Sequence, residues 1–154
     1  MFEKVMVCLD GSELAEAILP YIMQESNCYG SIVLLRVLAT PEVTLPLGIP
    51  GVPGVAVHTD SMLEHFRRDA EEAPAYMEKI ADSLRETGLK AASVILEGMP
   101  GEAILEYAGD NDVTLIALAT HGHGGLAKAI LGSTAAYILK HSPVPVLTIT
   151  PRKA

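Results

Sequence analysis

The sequence predicts an α/β fold, an open doubly wound sheet of five mostly parallel strands with helices on both faces. Short, almost wholly apolar runs alternate along the chain with segments whose apolar residues recur at helical spacing. This alternation is typical of parallel strands that helices bury on both faces. In addition, an apolar run at 113–118 leads into a glycine-rich turn and then a helix. Open α/β sheets bind anionic groups at turns of this kind.

The size and composition of the chain fit one domain. Its 154 residues, 49% of them apolar, suffice for a single hydrophobic core spanning 1–154, without metals or disulfides. Cys8 and Cys28 are not in metal-ligand spacing, and we expect both to be buried thiols rather than nucleophiles. The first residues do not resemble a signal peptide, and no apolar run approaches bilayer-spanning length. We therefore expect a cytoplasmic protein with no membrane partner.

The charge of the chain is negative and unevenly distributed. A net charge of −8 disfavours nucleic acids and anionic membranes as partners, because their phosphates are repelled. From Val113 onward the chain has no acidic residue and four basic ones, so the preceding part carries −12. A phosphate-bearing ligand explains the missing acids, and a few exposed bases with a short tail explain the count as well.

The first half of the chain predicts a strand, a helix and a second strand. Val5–Leu9 predicts a buried strand, and the turn Asp10–Ser12 follows it. The aspartate or the serine of this turn can cap a helix that is apolar on one face up to Ile22 and is kinked at Pro20. Ser31–Val37 predicts the second strand, and a strand-helix-strand unit is right-handed and parallel.

An irregular loop rich in proline and glycine is expected at about 38–59. Arg36, just before it, is the lone charge of the second strand and is expected near a strand end or a sheet edge. Alternating prolines and glycines exclude a regular helix or an inner strand from the loop. The apolar residues between them indicate that the loop folds against a partner subunit or the ligand cleft, where it would serve as a lid.

The second half of the chain predicts three further strands and three helices. In order they are a helix at 61–87 interrupted near Pro74, a strand at 91–96, a helix at 102–109, a strand at 113–118, a helix from about Gly132 and a strand at 144–149. In a doubly wound sheet, the ligand crevice lies at the carboxyl ends of the strands where the strand order reverses.

The glycine-rich turn does not match two common phosphate-binding motifs. A P-loop requires a Gly-Lys pair, and none follows Gly122, Gly124 or Gly125. The dinucleotide fingerprint fits superficially at 122–127, but the acid that should follow for the ribose is absent, since no Asp or Glu occurs after Asp112. A different motif must therefore account for the turn.

The spacing of the turn resembles the nucleotide-binding motif of the universal stress protein family, which is Gly, two residues, Gly, nine residues, and Gly followed by Ser or Thr. Here Ala119-Thr120-His121-Gly122 precedes Gly132-Ser133-Thr134 with nine residues between them. Val5–Ala15 resembles the family's first strand and turn, and Pro143–Leu147 its last strand, so the resemblance covers the whole chain. The family's first glycine is Ala119 here, and its methyl group narrows the approach to a ligand.

The resemblance implies the adenine nucleotide alpha hydrolase-like fold and a ligand, ATP or else AMP or ADP, accompanied by Mg²⁺. An acid placed like Asp10 contacts ribose or a metal-bound phosphate oxygen in the family, although a helix cap explains it equally well. A residue placed like Val37 packs against adenine, with ordinary core packing as the alternative. The implied site comprises Leu9, Asp10, Val37, Leu118, Ala119, His121, Gly122, Gly132, Ser133 and Thr134.

Two further expectations concern the C-terminal segment. Ser133 is expected to cap the last helix and to offer O–H and N–H groups to phosphate. The resemblance also implies a homodimer in which Val144–Ile149 of two subunits pair, which would cover an exposed apolar edge.

Three functions remain open at this stage. The leading one is a dimeric stress-response or nucleotide-sensing module that binds an adenine nucleotide. The second is a slow ATPase or self-phosphorylating enzyme at the same site, but no nucleophile adjoins His121 or His123 in the sequence, and we assign no catalytic residue. The third is a nucleotide-free interaction module, which Ala119 favours. His58 and His65 lack a third ligand for a metal site, and none is expected.

Overall fold

A computed structural model describes residues 1–41, 43–120 and 131–151 of the chain. The strands are β1 (Phe2–Cys8), β2 (Tyr29–Ala39), β3 (Val43–Leu45), β4 (Val55–Val57), β5 (Ala91–Gly98), β6 (Leu115–Ala119) and β7 (Val146–Ile149). The helices are α1 (Glu13–Glu16), α2 (Leu19–Gln24), α3 (Asp60–Glu86), α4 (Pro100–Asp110) and α5 (Ser133–His141), and a short 3₁₀ turn at Ser26–Cys28 precedes β2.

The main sheet has five strands in the order β5-β2-β1-β6-β7, and every neighbouring pair is parallel. This arrangement confirms the predicted open, doubly wound α/β fold. The chain moves outward from β1 to β2 and β5, and then returns to the other side of β1 for β6 and β7. The strand order therefore reverses between β1 and β6, and a crevice is expected where the carboxyl ends of these strands diverge.

Helices cover both faces of the sheet. Val5 and Val7 of β1 belong to the buried cluster that includes side chains of α1, α2 and α3. Met6, between them, belongs to the cluster that includes side chains of α4 and α5. Successive side chains of a strand point to opposite faces, so a strand buried on both faces has an unbroken apolar sequence.

The single kinked helix predicted after the first strand is wrong, because two helices follow. α1 ends at Glu16, and α2 begins at Leu19 with Pro20 in its first turn. A proline ring clashes with the carbonyl four residues earlier, here that of Glu16, and this disfavours a continuous helix. In the first turn of α2, the missing N–H of Pro20 costs no hydrogen bond.

The interruption predicted near Pro74 is also wrong, because α3 runs through this residue. The helix begins after Thr59, whose hydroxyl accepts a hydrogen bond from the Met62 N–H at 3.2 Å. Ala73 and Met77, on either side of the proline, are fully buried. Packing of this face against the sheet holds the helix together across the position where one hydrogen bond is lost.

The segment between β2 and α3 is not wholly irregular as predicted. β3 and β4 pair as a short antiparallel hairpin, separate from the main sheet, with Val43 opposite Val57. Five large apolar side chains of the segment are 46–59% exposed, namely those of Leu45, Leu47, Ile49, Val52 and Val55. The hairpin therefore presents an apolar surface to solvent.

Candidate functional site

A cleft opens at the carboxyl ends of β1, β2 and β6, where the strand order reverses. Its volume is about 210 Å³, and its walls include the first turns of α4 and α5. Eight of the ten residues implied by the resemblance line it, namely Leu9, Asp10, Val37, Leu118, Ala119, Gly132, Ser133 and Thr134. The other two, His121 and Gly122, lie outside the described residues. Among the described residues that line the cleft, none comes from the hairpin segment, so its expected role as a lid gains no support.

The turn between β1 and α1 forms one rim of the cleft. Asp10 Oδ1 accepts hydrogen bonds from the Ser12 N–H at 2.9 Å and from the Ser12 hydroxyl at 2.6 Å. Ser12 caps α1 by accepting a hydrogen bond from the Ala15 N–H at 3.1 Å. Gly11 has a φ of +86°, in the left-handed region that favours glycine. Ser12 is therefore the helix cap, and Asp10 holds it in place.

The first turn of α5 forms the opposite rim. Gly132 occupies the N-cap position with a φ of −59°, and its carbonyl accepts a hydrogen bond from the Ala136 N–H at 2.9 Å. The expected capping by Ser133 is wrong, because the glycine before it holds the cap position and Ser133 lies inside the first turn. The N–H groups of Ser133, Thr134 and Ala135 precede the first helical hydrogen bond, and such groups can face an anion.

Six residues of the cleft were not identified as site residues from the sequence, namely Cys8, Ala15, Leu35, Pro100, Ile104 and Ala135. Five of them are apolar or thiol side chains within strands and helices, where the sequence pattern indicates core and nothing more. Pro100 is different, because it opens α4 directly after β5. A helix start that follows a parallel strand lies at the carboxyl edge of the sheet, and this placement is a signal that could have identified it.

Cys8 forms part of the cleft wall, and its thiol is not activated. Burial raises the pKa of this thiol to about 12, so it stays protonated near neutral pH. Cys28, predicted to be buried, is exposed. It lies in the turn between α2 and β2, where its Sγ is 3.8 Å from Glu25 Oε2.

Thr120 anchors the chain where β6 ends and the glycine-rich turn begins. Its N–H donates to the Ile149 carbonyl at 2.7 Å. Its hydroxyl lies 3.1 Å from the same carbonyl and 3.1 Å from the Thr150 hydroxyl. This residue is buried, with 5% of its surface exposed. The hydrogen bonds therefore hold the end of β6 beside the end of β7.

The chemistry of the cleft suits binding. Asp10 is the one charged side chain among the described residues that line it, and Ser133 and Thr134 supply hydroxyl groups. Apolar walls accommodate a ring, while amide and hydroxyl groups accommodate an anion. His121 and His123, the candidates for acid-base chemistry, lie outside the described residues.

In the part of the chain that the structure describes, no three potential metal ligands cluster together. His58 Nδ1 contacts the Pro41 carbonyl, and His65 Nε2 lies 3.6 Å from Asp69 Oδ2. The two histidines therefore have separate partners. Asp10 fits a Mg²⁺ ion that arrives with a phosphate ligand, because this ion is commonly held by one or two carboxylates together with phosphate oxygens.

None of the described helices combines the length and the apolar character that crossing a bilayer requires. The longest helix, α3, carries acidic and basic residues along its exposed side.

These features define a class of protein, an open parallel α/β protein with a crevice at the reversal of strand order and a glycine-capped helix at its rim. The model of the universal stress protein family matches residues 1–150. The chain therefore belongs to the universal stress protein family.

Relatives match over nearly the whole chain. Universal stress protein MJ0577 of Methanocaldococcus jannaschii is 30% identical over 97% of this chain and 95% of its own. Its solved structure superposes with a TM-score of 0.74 at 28% identity, covering 100% of this chain and 99% of that one. Universal stress protein Sll1388 of Synechocystis is 30% identical over 96% of this chain and 97% of its own. A family member from Arabidopsis thaliana, solved with AMP bound, shares the fold at 18% identity with a TM-score of 0.64, covering 97% and 92% of the two chains.

Proposed function

We propose that this chain binds an adenine nucleotide, ATP or its mono- or diphosphate, in the cleft at the carboxyl ends of β1, β2 and β6. The observation that carries the proposal is that the Asp10 turn and the start of α5 meet in one cleft. The Arabidopsis protein with the same fold was solved with AMP bound, which supports an adenine nucleotide as the class of ligand.

Each part of the nucleotide has a matching part of the cleft. Adenine packs on the apolar wall that includes Leu9 and Val37, and the ribose hydroxyls lie within reach of Asp10. The phosphates face the N–H and hydroxyl groups of Ser133 and Thr134, because a helix N-terminus stabilises negative charge. The resemblance implies further contacts from His121 and Gly122, which lie outside the described residues. Mg²⁺ accompanies the phosphates, with Asp10 as the available carboxylate.

Calorimetric titration with MgATP, on the wild-type chain and on Gly132→Val, tests the proposal. The φ of Gly132 is −59°, which any residue adopts, so valine is compatible with the backbone while its side chain narrows the cleft. We expect saturable binding to the wild-type chain and a loss of about tenfold or more in the variant, which is about 1.4 kcal/mol or more.

The matched control is Gly109→Ala, at the far end of α4, where an added Cβ meets nothing within 4 Å. This variant should bind MgATP like the wild-type chain. Absence of heat with the wild-type chain would reject the nucleotide ligand. Mass spectrometry of gently purified, denatured protein independently asks whether ATP or AMP is released. Timed incubation with labelled ATP separates simple binding from hydrolysis or self-phosphorylation.

We further propose that the chain acts as a homodimer joined through Val144–Ile149. β7 lies at one edge of the sheet and pairs with β6 on its inner side. At the other edge, side chains of α3 reach over β5, where Arg85 Nε donates to the Ala91 carbonyl at 2.8 Å. Pairing of β7 with its copy across a two-fold axis would give hydrogen-bond partners to the backbone N–H and C=O groups on the outer side of β7.

The biological role that we propose is a stress-response or nucleotide-sensing module. Binding of a nucleotide to the folded chain shifts its stability and its preferred shape by mass action, and this is the physical basis of sensing. We place the module in the cytoplasm, where cysteines such as Cys8 and Cys28, both free in the structure, remain reduced.

A further inference from the structure

Arg36 lies behind the nucleotide cleft, on the other side of β2. Leu35 and Val37 line the cleft, while Arg36, between them, points toward α3. Arg36 was expected near a strand end or a sheet edge, and it lies near the carboxyl end of β2, an inner strand between β5 and β1. Only 11% of its side chain is exposed. A charged side chain with so little exposure to solvent requires polar or aromatic partners within the protein.

Among the described residues, three neighbours lie close to the Arg36 guanidinium. Asp69 Oδ2 lies 4.0 Å from Nη2, and the Tyr76 ring centroid lies 5.7 Å from Cζ, within range of a cation–π interaction. On the third side, a Cβ added to Gly11 would lie 2.9–3.0 Å from Nη2, Cζ and Nη1. These three nearly equal distances place the flat face of the guanidinium against the turn that carries Asp10.

The charge of Asp10 has two opposite effects in the proposed site, because it helps to hold Mg²⁺ and also repels the phosphates of the ligand. Asp10 is the one charged side chain among the described cleft residues, and the phosphates of a nucleotide have the same sign. Burial is the main cause that raises the pKa of Tyr76, the hydrogen bond to Glu16 adds to it, Arg36 lowers it and Asp10 raises it. The charges of Asp10 and Arg36 therefore shift the pKa of Tyr76 in opposite directions.

We propose that Arg36 is a positioning residue of the nucleotide cleft, which braces the Asp10–Ser12 turn from behind and offsets the Asp10 charge so that the cleft accepts phosphorylated ligands. The inference rests on the proposed function and adds to it the group that balances charge at the rim. Asp69 acts in the opposite sense, because its carboxylate partly neutralises the same guanidinium.

The test compares the affinities of adenosine, AMP and ATP, measured by calorimetry with Mg²⁺ at fixed salt. Arg36→Met removes the charge and keeps the side chain long and unbranched. ATP affinity should fall about tenfold and AMP affinity less, with adenosine nearly unchanged, because the lost charge acts on the phosphates. The difference in ATP affinity between the wild-type chain and Arg36→Met should shrink at high salt, because salt screens the charge. Arg36→Lys should recover most of the ATP affinity, and Asp69→Asn should raise it above the wild-type value.

Arg85→Met is the matched control. Arg85 is, like Arg36, an arginine paired with acidic side chains, here Glu78 and Asp82. It lies on α3 and contacts Ala91 at the start of β5, at the other end of the sheet. Its removal changes the net charge by the same amount and should leave all three affinities unchanged. Circular dichroism checks that each variant is folded.

The outcomes separate this inference from the proposed function. Equal losses for adenosine, AMP and ATP in Arg36→Met would mean that Arg36 supports only the shape of the turn, and would overturn the charge-balancing role. Unchanged affinities in both Arg36→Met and Asp69→Asn would overturn the inference while nucleotide binding stands. A wild-type chain that binds none of the three ligands would overturn the proposed function, and the inference with it.

Discussion

At the residue scale, the absence of a side chain at Gly101 allows α4 and α5 to approach each other beside the cleft. A Cβ at this position would lie 2.5 Å from Tyr137 Cδ1 and 2.9 Å from Cγ. The added Cβ would also lie 3.2 Å from Tyr137 Cβ, so rotation of this partly exposed ring does not by itself relieve the contact. Gly101→Ala should therefore lower the free energy of unfolding by about 1–3 kcal/mol, measured by urea denaturation.

Gly109→Ala is the control for this prediction because it makes the same change on the same helix. Nothing lies within 4 Å of the Cβ that it adds, and alanine is the better helix former, so stability should rise by up to about 1 kcal/mol. If the two variants changed stability equally, the contact with Tyr137 would not be the cause.

The two cysteines should differ in reactivity. Cys28 is exposed and Cys8 is half-buried in the cleft wall, with burial raising the pKa of the Cys8 thiol to about 12. Because the thiolate is the reactive form, iodoacetamide at mildly alkaline pH should modify Cys28 well before Cys8 in the folded chain. Mass spectrometry of peptides measures the modification, and both residues should react in urea. Equal rates in the folded chain would contradict the burial of Cys8.

The Cys8 thiol also makes stability depend on pH in the alkaline range. Its pKa is raised from 9.0 to about 12 in the folded chain, so the unfolded chain loses this proton first. The stabilising contribution is complete below the lower value and is lost as the pH rises toward the upper one. Urea denaturation at a series of pH values above 9.0 should show a steeper loss of stability for the wild-type chain than for Cys8→Ala. Parallel curves for the two proteins would contradict this.

At the scale of helices and strands, the apolar runs predicted all five strands of the main sheet because each strand packs apolar side chains against the helices. The ends were less predictable. β2 extends to Ala39 because its backbone pairs with that of β5. Backbone pairing produces no apolar pattern in the sequence from which the end could be predicted. Pro20 was predicted to kink a helix and Pro74 to interrupt one, but Pro20 follows a break between two helices and Pro74 lies within a continuous one. The outcome depends on tertiary packing, which a local pattern does not report.

The same limit applies to the cleft. Asp10 and Gly132 were assigned to the site through the resemblance to the family's motif, and their positions after an apolar run and before a helix agree with the carboxyl edge of a sheet. Cys8 and Ile104 look like any other core residue in the sequence, and the geometry of the cleft alone distinguishes them. Arg36 was noticed as an isolated charge, but its contact with the Gly11 turn comes from folding.

Pro74 leads to a prediction about α3. Its side chain is exposed, so replacing it removes no buried surface, while alanine restores an N–H donor in the helix interior. Pro74→Ala should raise the free energy of unfolding by about 1–3 kcal/mol. Pro20→Ala is the control, because Pro20 lies in the first turn of α2, where no hydrogen bond is missing, and its effect should be much smaller. A loss of stability in Pro74→Ala would show that the proline is required by the packing of α3.

At the scale of the whole molecule, the proposed dimer depends on β7, whose outer side pairs with no other strand among the described residues. The carbonyls of Pro145 and Ile149 accept hydrogen bonds from the Ile116 and Thr120 N–H groups of the β6 side, at 3.0 Å and 2.7 Å. Because backbone groups alternate in direction along a strand, those of Thr148 point to the open edge. A partner strand would pair there.

Thr148→Pro should therefore separate the proposed dimer and leave the pairing of β6 with β7 intact, because proline removes an edge N–H and is tolerated on edge strands. Light scattering at micromolar concentration should give twice the 16.3 kDa chain mass for the wild-type protein and for the control Thr148→Val, and the single-chain mass for Thr148→Pro. Each copy carries a net charge of −8, so added salt should strengthen the wild-type association by screening the repulsion. A wild-type protein that stays at the single-chain mass at every salt concentration would refute the dimer, while a Thr148→Pro variant that still dimerises would move the interface away from β7.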